Sequence, residues 1–221
     1  MATLARHRIT YAELDELPDD GILYEILDGV LVTRAAPTRR HQQIVGALYT
    51  QLRRAQDAGI GELILGPFDV VLDEYNATLP DLLFVRTDHA HIVTDTGCFG
   101  APDLIVEILS PTSIERDLKE KLSTYEHFGV SAYWIIDPAS QELLRFNLVR
   151  GRYVKQLVLH REDAITSPLF PAIHVALRDV FSSPALPKEP DAQPSAADLA
   201  RIRELEKFHH RRRPRPDRQR D

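Results

Sequence analysis

Residues 102–125, PDLIVEILSPTSIERDLKEKLSTY, decide the fold because they join a buried strand to a turn and a helix. The segment 103–109 is a nearly continuous run of branched aliphatic residues, which is typical of a strand buried on both faces. Glu107 lies within that run. Because an unpaired buried charge is costly, Glu107 must have a metal ion, a cation or hydrogen-bond donors beside it. Side chains alternate along a strand, so Asp103 and Glu107 should lie on the same face.

A helix is predicted after the turn at 110–113, with Ser113 as its N-cap. Its inward stripe should consist of apolar and aromatic residues at helical spacing, namely Ile114, Leu118, Leu122 and Tyr125. Asp117 and Lys121 are four residues apart and should lie together on the flank of that stripe. From there Lys121 can reach back toward the end of the strand. The whole stretch therefore predicts a site of acids and a lysine that can hold a metal ion.

The remaining elements follow from turn and capping signals. Helices are predicted at 10–17 and 39–58, the second capped by Thr38. Strands are predicted at 22–27, 30–33, 63–65, 68–72, 82–85, 132–136, 142–148, 152–159 and 174–177, with a polar loop at 86–101. Asp28-Gly29 is the favoured two-residue turn of a β-hairpin.

The 221 residues are 43% hydrophobic, which suffices for one domain with a substantial core. We expect that domain at 1–181, followed by a Pro-rich linker at 182–194 and by a short charged helix with a basic, disordered tail at 195–221. No apolar run approaches the length of a signal peptide or a membrane span. Cys98, the single cysteine, cannot form an internal disulfide. We therefore expect a cytoplasmic protein.

The net charge of −6 is distributed unevenly along the chain. From Arg201 onward nine basic residues face four acidic ones, so the tail carries +5 and the rest of the chain carries −11. A basic tail can contact polyanions, whereas an acidic body opposes the binding of nucleic acid. Acids that bind divalent metal ions would lower that opposing charge.

Several ordered motifs resemble one known family. They are YEILDG at 24–29, PDL at 80–82, PDLIVEILSP at 102–111 with Asp117, Lys121 and Tyr125 after it, and GV with YWIIDP at 129–138. Together they resemble the Uma-two family of restriction endonucleases, a branch of the PD-(D/E)xK nuclease superfamily. The resemblance covers residues 8–180 and leaves out the linker and the tail.

The resemblance implies a mixed α/β fold with a restriction-endonuclease-like core, in which helices flank a central mixed sheet and an N-terminal β-hairpin is added. It implies a metal-dependent endonuclease that hydrolyses phosphodiester bonds, most simply in DNA. Asp81 and Glu107 would hold Mg²⁺ or Mn²⁺. Lys121 would replace the motif lysine, because the usual position of that lysine is Leu109 in this chain. A homodimer is expected, since cutting both strands of a duplex with one site per chain requires two chains.

Three further residues are secondary candidates for the active site. Asp103 could be a further ligand or an outer partner of the site. Glu25 could make a second-metal or water-mediated contact, although an acid beside a hairpin turn is more often solvated. His41 opens the long helix and could reach the site, but a lone histidine is usually a surface or cap residue.

The main candidates have simpler alternatives. Asp81 could cap a turn after Pro80. Glu107 could form a buried salt bridge with Lys121 or an arginine. Lys121 could form an ordinary exposed helix pair with Asp117. At the level of the whole protein, the alternative is a nuclease-fold binding or regulatory module that has lost catalysis.

Overall fold

The computed structural model describes residues 7–17 and 20–182, which build two β-sheets, a short ribbon and several helices. The helices are α1 (Tyr11–Asp15), α2 (Arg39–Asp57), α3 (Lys121–Phe128) and α4 (Leu177–Phe181), with a 3-10 segment at Thr87–Ile92 and a π-helical segment at Arg116–Glu120. The strands are β1 (Leu23–Leu27), β2 (Val30–Arg34), β3 (Gly61–Leu65), β4 (Asp69–Asp73), β5 (Asn76–Thr78), β6 (Leu82–Arg86), β7 (Gly97–Phe99), β8 (Leu104–Ile108), β9 (Ala132–Asp137), β10 (Glu142–Val149), β11 (Arg152–His160), β12 (Ala164–Ser167) and β13 (Phe170–Ala176). The predicted mixed α/β fold class is confirmed.

The larger sheet has six strands in the order β11-β10-β9-β8-β6-β3, so the acid-bearing strand β8 lies inside it. β8 runs parallel to β9 and antiparallel to β6. Every residue of β8 is buried, as its continuous aliphatic run predicts. Helix α2 packs its stripe, including Leu48 and Leu52, on the face that carries Val106. Helix α3 packs Tyr125 on the opposite face, which carries Ile105, so a helix covers each face of the sheet.

The N-terminal hairpin belongs to a second sheet of five strands in the order β2-β1-β5-β4-β7. Asp28 and Gly29 form its turn, both with positive φ, as a two-residue hairpin loop requires. Ile26 pairs with Ala77, which joins the hairpin to β5. The sequence did not predict β5 or β7, because each has three residues and no hydrophobic alternation. β5 forms a tight hairpin with β4 and also pairs with the distant β1, while β7 pairs only in parallel with β4, so tertiary contacts complete both strands.

The helix after β8 differs from its prediction. Ser113 directly precedes the first helical residue, Ile114, as the predicted N-cap position requires, and its hydroxyl accepts a hydrogen bond from the backbone N–H of Ser110. Ile114, predicted to face inward, is 46% exposed, whereas Asp117 and Lys121 are buried. The cause is the π-helical segment, which fits one extra residue into a turn. Residues before that segment are therefore rotated by about 100° relative to an uninterrupted α-helix.

The last strand begins and ends earlier in the structure than the predicted 174–177. β13 covers Phe170–Ala176, and Leu177 starts helix α4 instead. The predicted linker beyond Ser182, the charged helix and the basic tail lie outside the described residues. Within the described residues, no helix is long and apolar enough to span a bilayer.

Candidate active site

Asp81 and Glu107 lie opposite each other on neighbouring strands. β6 and β8 pair with Leu82 against Val106, so the next pair outward is Asp81 and Glu107. The Oδ2 atom of Asp81 accepts a hydrogen bond of 2.7 Å from the backbone N–H of Ile108, which fixes the carboxylate at the end of β8. Gly66 lies so close to the residues just before β6 that a Cβ atom on Gly66 would collide with the carbonyl oxygen of Pro80. These contacts bring the two main predicted acids together.

Lys121 lies beneath the acids and is almost completely enclosed, with 2% of its side chain exposed. Its Nζ atom lies 2.7 Å from Glu25 Oε1 and 2.8 Å from Glu107 Oε1. Asp117 Oδ1 is 3.8 Å away. The structure therefore excludes the exposed Asp117–Lys121 pair, and it shows the buried Glu107–Lys121 salt bridge that the sequence left open.

Arg34, at the end of β2, contacts the acid pair from the other side. Its Nη2 atom donates to Asp81 Oδ1 at 2.8 Å and lies 3.8 Å from Glu107 Oε2. Its Nη1 atom donates to the carbonyl oxygen of Leu79. The guanidinium is partly open, with 19% of the side chain exposed. Although burial opposes the charge, the attraction of Glu107 and Asp81 raises the pKa of Arg34, which stays protonated.

Glu25 and Tyr125 complete the buried part of the cluster. Glu25 is fully buried, so the solvated alternative for this residue is wrong. Its Oε1 atom accepts from the backbone N–H of Leu79 at 2.8 Å and from Lys121, while its Oε2 atom has no hydrogen-bond partner. The Tyr125 hydroxyl lies 3.3 Å from Glu107 Oε1 and 3.1 Å from Thr78 Oγ1. Tyr125 is thus a core residue whose polar end belongs to the cluster.

His41 contacts Asp81 directly from the first turn of α2. The hydroxyl of Thr38 accepts a hydrogen bond from the backbone N–H of His41, so the predicted helix cap is present. The Nε2 atom of His41 lies 3.0 Å from Asp81 Oδ2. The histidine is therefore neither a surface residue nor merely part of a cap.

The carboxylates of the cluster experience opposite electrostatic environments. Burial alone would raise the pKa of Asp81, but the hydrogen bond with His41 and the charge of Arg34 lower it below its usual range. Burial raises the pKa of Glu107, and the charge of Lys121 offsets this only in part. Burial also raises the pKa of Asp117 despite the nearby ammonium. Perturbed carboxylates of this kind are typical of functional sites, although structural ion-pair networks also produce them.

A cleft of about 530 Å³ opens above the cluster. Arg34, His41, Asp81 and Ile108 contribute to its lining, while Glu107 lies beneath it. The turn 110–114 and the loop 35–38 form part of its walls. The buried ion pairs thus connect to solvent through Asp81 and Arg34.

Asp103 does not join this cluster. It precedes β8, where its carboxylate accepts from the backbone N–H of Arg86 at 2.8 Å and lies 3.0 Å from His89 Nδ1. Four residues of strand, about 13 Å, separate it from Glu107. The structure therefore gives Asp103 backbone and histidine partners far from the cleft.

Sequence reasoning did not single out Arg34, and it used Asp117 only as a flanking residue. A partial signal was present, because two buried acids such as Asp81 and Glu107 need more than one compensating cation. Nothing in the order of residues identifies which arginine supplies it. Arg34 contacts Asp81 because the N-terminal hairpin packs against the start of β6.

The donor chemistry fits a hard divalent cation. Mg²⁺ is usually bound by one or two carboxylates, with water and substrate phosphates completing its shell. Asp81 and Glu107 can supply two such carboxylates, and the unpaired Oε2 of Glu25 is a further anionic oxygen beside them. Among the described residues, no three His, Cys, Asp or Glu side chains form a ready metal-ligand group. A bound metal ion would therefore depend on water and substrate for its remaining ligands.

The fold and the acid cluster place the molecule in the class of nuclease-like α/β proteins, and this class agrees with the comparisons. The family model "Putative restriction endonuclease" matches residues 11–178, so the chain belongs to the Uma2 family. A solved structure described as "a putative nuclease belonging to DUF820" from Anabaena variabilis superposes with a TM-score of 0.65 at 19% identity. The alignment covers 78% of this chain and 97% of that one. No curated protein matches the chain. Family and fold together support a nuclease.

Proposed function

We propose that the protein is a metal-dependent endonuclease that hydrolyses phosphodiester bonds in DNA. The observation that carries the proposal is the register of β6 and β8, which places Asp81 opposite Glu107, with Asp81 in the lining of an open cleft and Glu107 buried beside it. Membership of the Uma2 family supports the same class of activity. The fold shared with the Anabaena variabilis protein, described as "a putative nuclease", is consistent with the same class.

Asp81 and Glu107 would hold Mg²⁺ or Mn²⁺ between the strands. When bound, such an ion lowers the pKa of a water molecule and neutralises charge on the scissile phosphate. In the hydrolysis, the water oxygen bonds to phosphorus and loses one proton, the bond from phosphorus to the leaving oxygen breaks, and the leaving oxygen takes up one proton. Lys121 and the backbone N–H of Ile108 keep the two carboxylates aligned throughout. His41 contacts Oδ2 of Asp81, the oxygen that also accepts from Ile108, and thereby helps to orient the carboxylate.

Cleavage of supercoiled plasmid tests the proposal. Wild type should nick or linearise the plasmid with Mg²⁺ or Mn²⁺ and not with EDTA, and Asp81→Asn should abolish the cutting. The matched control is Asp57→Asn, because Asp57 is an exposed acid that pairs with Arg53 on the surface of α2. An active Asp81→Asn variant would contradict the assignment of the site.

One observation favours a second candidate, a nuclease-fold binding or regulatory module. Asp81, Glu107 and Glu25 already contact protein cations, as in a purely structural network. Thermal melting with Mn²⁺ separates the two candidates, since a ligand that binds the folded state raises the melting temperature. A rise that Glu107→Gln removes favours the enzyme, whereas a melting temperature indifferent to metal favours the module. If duplex DNA is the substrate, sedimentation should also detect a dimer.

A further inference from the structure

Lys121 is poorly placed to touch a substrate. Its side chain is 2% exposed, and Glu25, Glu107 and Asp117, all buried, surround its ammonium. A phosphate in the cleft could reach that ammonium only by displacing these carboxylates. The contacts of Lys121 instead fix the positions of Glu107 and Glu25.

Arg34 has the opposite placement. It contributes to the lining of the cleft and also contacts Asp81 Oδ1, so it joins the acid pair to the open space. A guanidinium has five N–H donors. The bonds to Leu79 and Asp81 use two of them, which leaves donors for an oxygen in the cleft. The bond to Leu79 also anchors the group at the edge of the sheet.

The chemistry of the guanidinium matches a phosphate. Its planar fork presents parallel N–H groups that fit two phosphate oxygens, and its charge is permanent. A compact ammonium lacks this fork. An arginine at the mouth of an acidic site also reduces the repulsion between those acids and a polyanion.

We propose that Arg34 contacts a backbone phosphate of DNA in the cleft, and that Lys121 is a positioning residue for Glu107 and Glu25. This inference rests on the proposed nuclease function and names the cation that meets the substrate. Arg34 neither gives nor takes a proton during hydrolysis. It donates hydrogen bonds to a phosphate oxygen, and those bonds strengthen as negative charge accumulates there.

The salt dependence of DNA binding tests the proposal. Each phosphate contact adds close to one unit to the slope of log K against log salt concentration for duplex DNA. The full-length protein is titrated into a fluorescent duplex oligonucleotide with Ca²⁺, and anisotropy is read at several salt concentrations. Wild type is compared with Arg34→Gln, Arg34→Lys and Lys121→Gln, and Arg53→Gln is the control because Arg53 pairs with Asp57 on the exposed face of α2.

Arg34→Gln should weaken binding about tenfold and lower the slope by about one unit. Arg34→Lys should keep the slope but bind less tightly than wild type, because it retains the charge without the fork. Lys121→Gln should leave the slope unchanged, since the ammonium is enclosed. Circular dichroism shows which variants fold, and if Arg34→Gln does not fold, Arg34→Lys alone decides by its affinity.

The outcomes distinguish this inference from the proposed function. An unchanged slope in Arg34→Gln, or wild-type affinity in Arg34→Lys, overturns the role of Arg34 even if the wild type cuts plasmid. A lowered slope in Arg34→Gln without any metal-dependent cutting by the wild type supports the contact and contradicts the nuclease. A wild type that does not bind DNA at any salt concentration overturns both.

Discussion

Asp103, just before β8, and Glu107, near its end, are four residues apart and lie on the same face by strand alternation, yet their surroundings differ. Glu107 lies under the cleft among other carboxylates, with Lys121 at 2.8 Å and Arg34 at 3.8 Å. Asp103 contacts a backbone N–H and His89, whose side chain is 48% exposed. Strand alternation puts an acid on a face, but the elements packed along that face decide what the acid can do. At the Glu107 end these elements are α3 and the hairpin, which supply the cations.

The largest expected difference between the two ends is in catalysis. Glu107→Gln should lower metal-dependent DNA cleavage by at least about 100-fold, because in the proposed mechanism it removes a charged metal ligand, and changes to outer-shell residues alone cost about 10–100-fold. Asp103→Asn should leave the cleavage rate nearly unchanged. Single-turnover rates of the purified variants give the comparison. Equal losses in both variants would show that the acids act as one site, contrary to their separation along β8.

The second difference is in stability. Lys121→Met should lower the free energy of unfolding by about 3–5 kcal/mol, because it leaves Glu25, Glu107 and Asp117 without their buried cation. His89→Gln should lower it by less than about 1 kcal/mol, since the pair with Asp103 is half open to solvent. Urea denaturation at neutral pH measures both values. If Lys121→Met is as stable as wild type, the prediction is wrong, because the three buried acids would then be neutralised by protonation at little cost in free energy.

The smallest expected difference between the Asp103 and Glu107 ends is their influence on Cys98, a buried residue near Asp103. Burial, with a contribution from the charge of Asp103, raises the pKa of this thiol to about 12. The thiol therefore favours the folded state below its unfolded pKa of about 8.5, and this contribution is lost as the pH rises through about 12. At pH 8 iodoacetamide should alkylate folded Cys98 at least about 100-fold more slowly than the unfolded thiol.

Asp103→Asn sharpens this test. Removing the negative charge should lower the pKa of Cys98 and raise the alkylation rate by a few-fold, while Glu107→Gln should not change it. Rates measured by mass spectrometry over a pH series separate the two variants. A fast reaction in wild type would contradict the burial of Cys98.

Much of the framework could be predicted from local sequence. The aliphatic run around Glu107 predicts a buried strand, Asp28-Gly29 predicts a hairpin, and Thr38 predicts the start of α2. Each of these signals works over a few residues, where strand burial, turn geometry and capping have direct residue preferences. The motif order also indicated the Uma2 family, which the family match confirms.

The arrangement of the candidate site was only partly visible in the sequence. Asp81 and Glu107 were chosen from their motifs, and the strand pairing brings them together. Lys121 faces inward because it lies four residues before the buried Tyr125 on α3. The π-helical segment instead turns the residues before it, such as Ile114, and nothing in the residue spacing predicts that segment. The assignment of Asp81 and Glu107 as metal ligands stays a prediction.

The sequence by itself determined which short segments carry acids on or beside strands and where the chain turns, because these properties depend on neighbours within a few positions. It also determined the family, through ordered motifs that span most of the chain. Only the tertiary structure decided that Arg34 meets Asp81 and that Asp103 stands apart. Those contacts join residues 47 and 17 positions apart in the chain. Pairing over such separations follows from how the sheets and helices pack, and local preferences of single residues do not encode it.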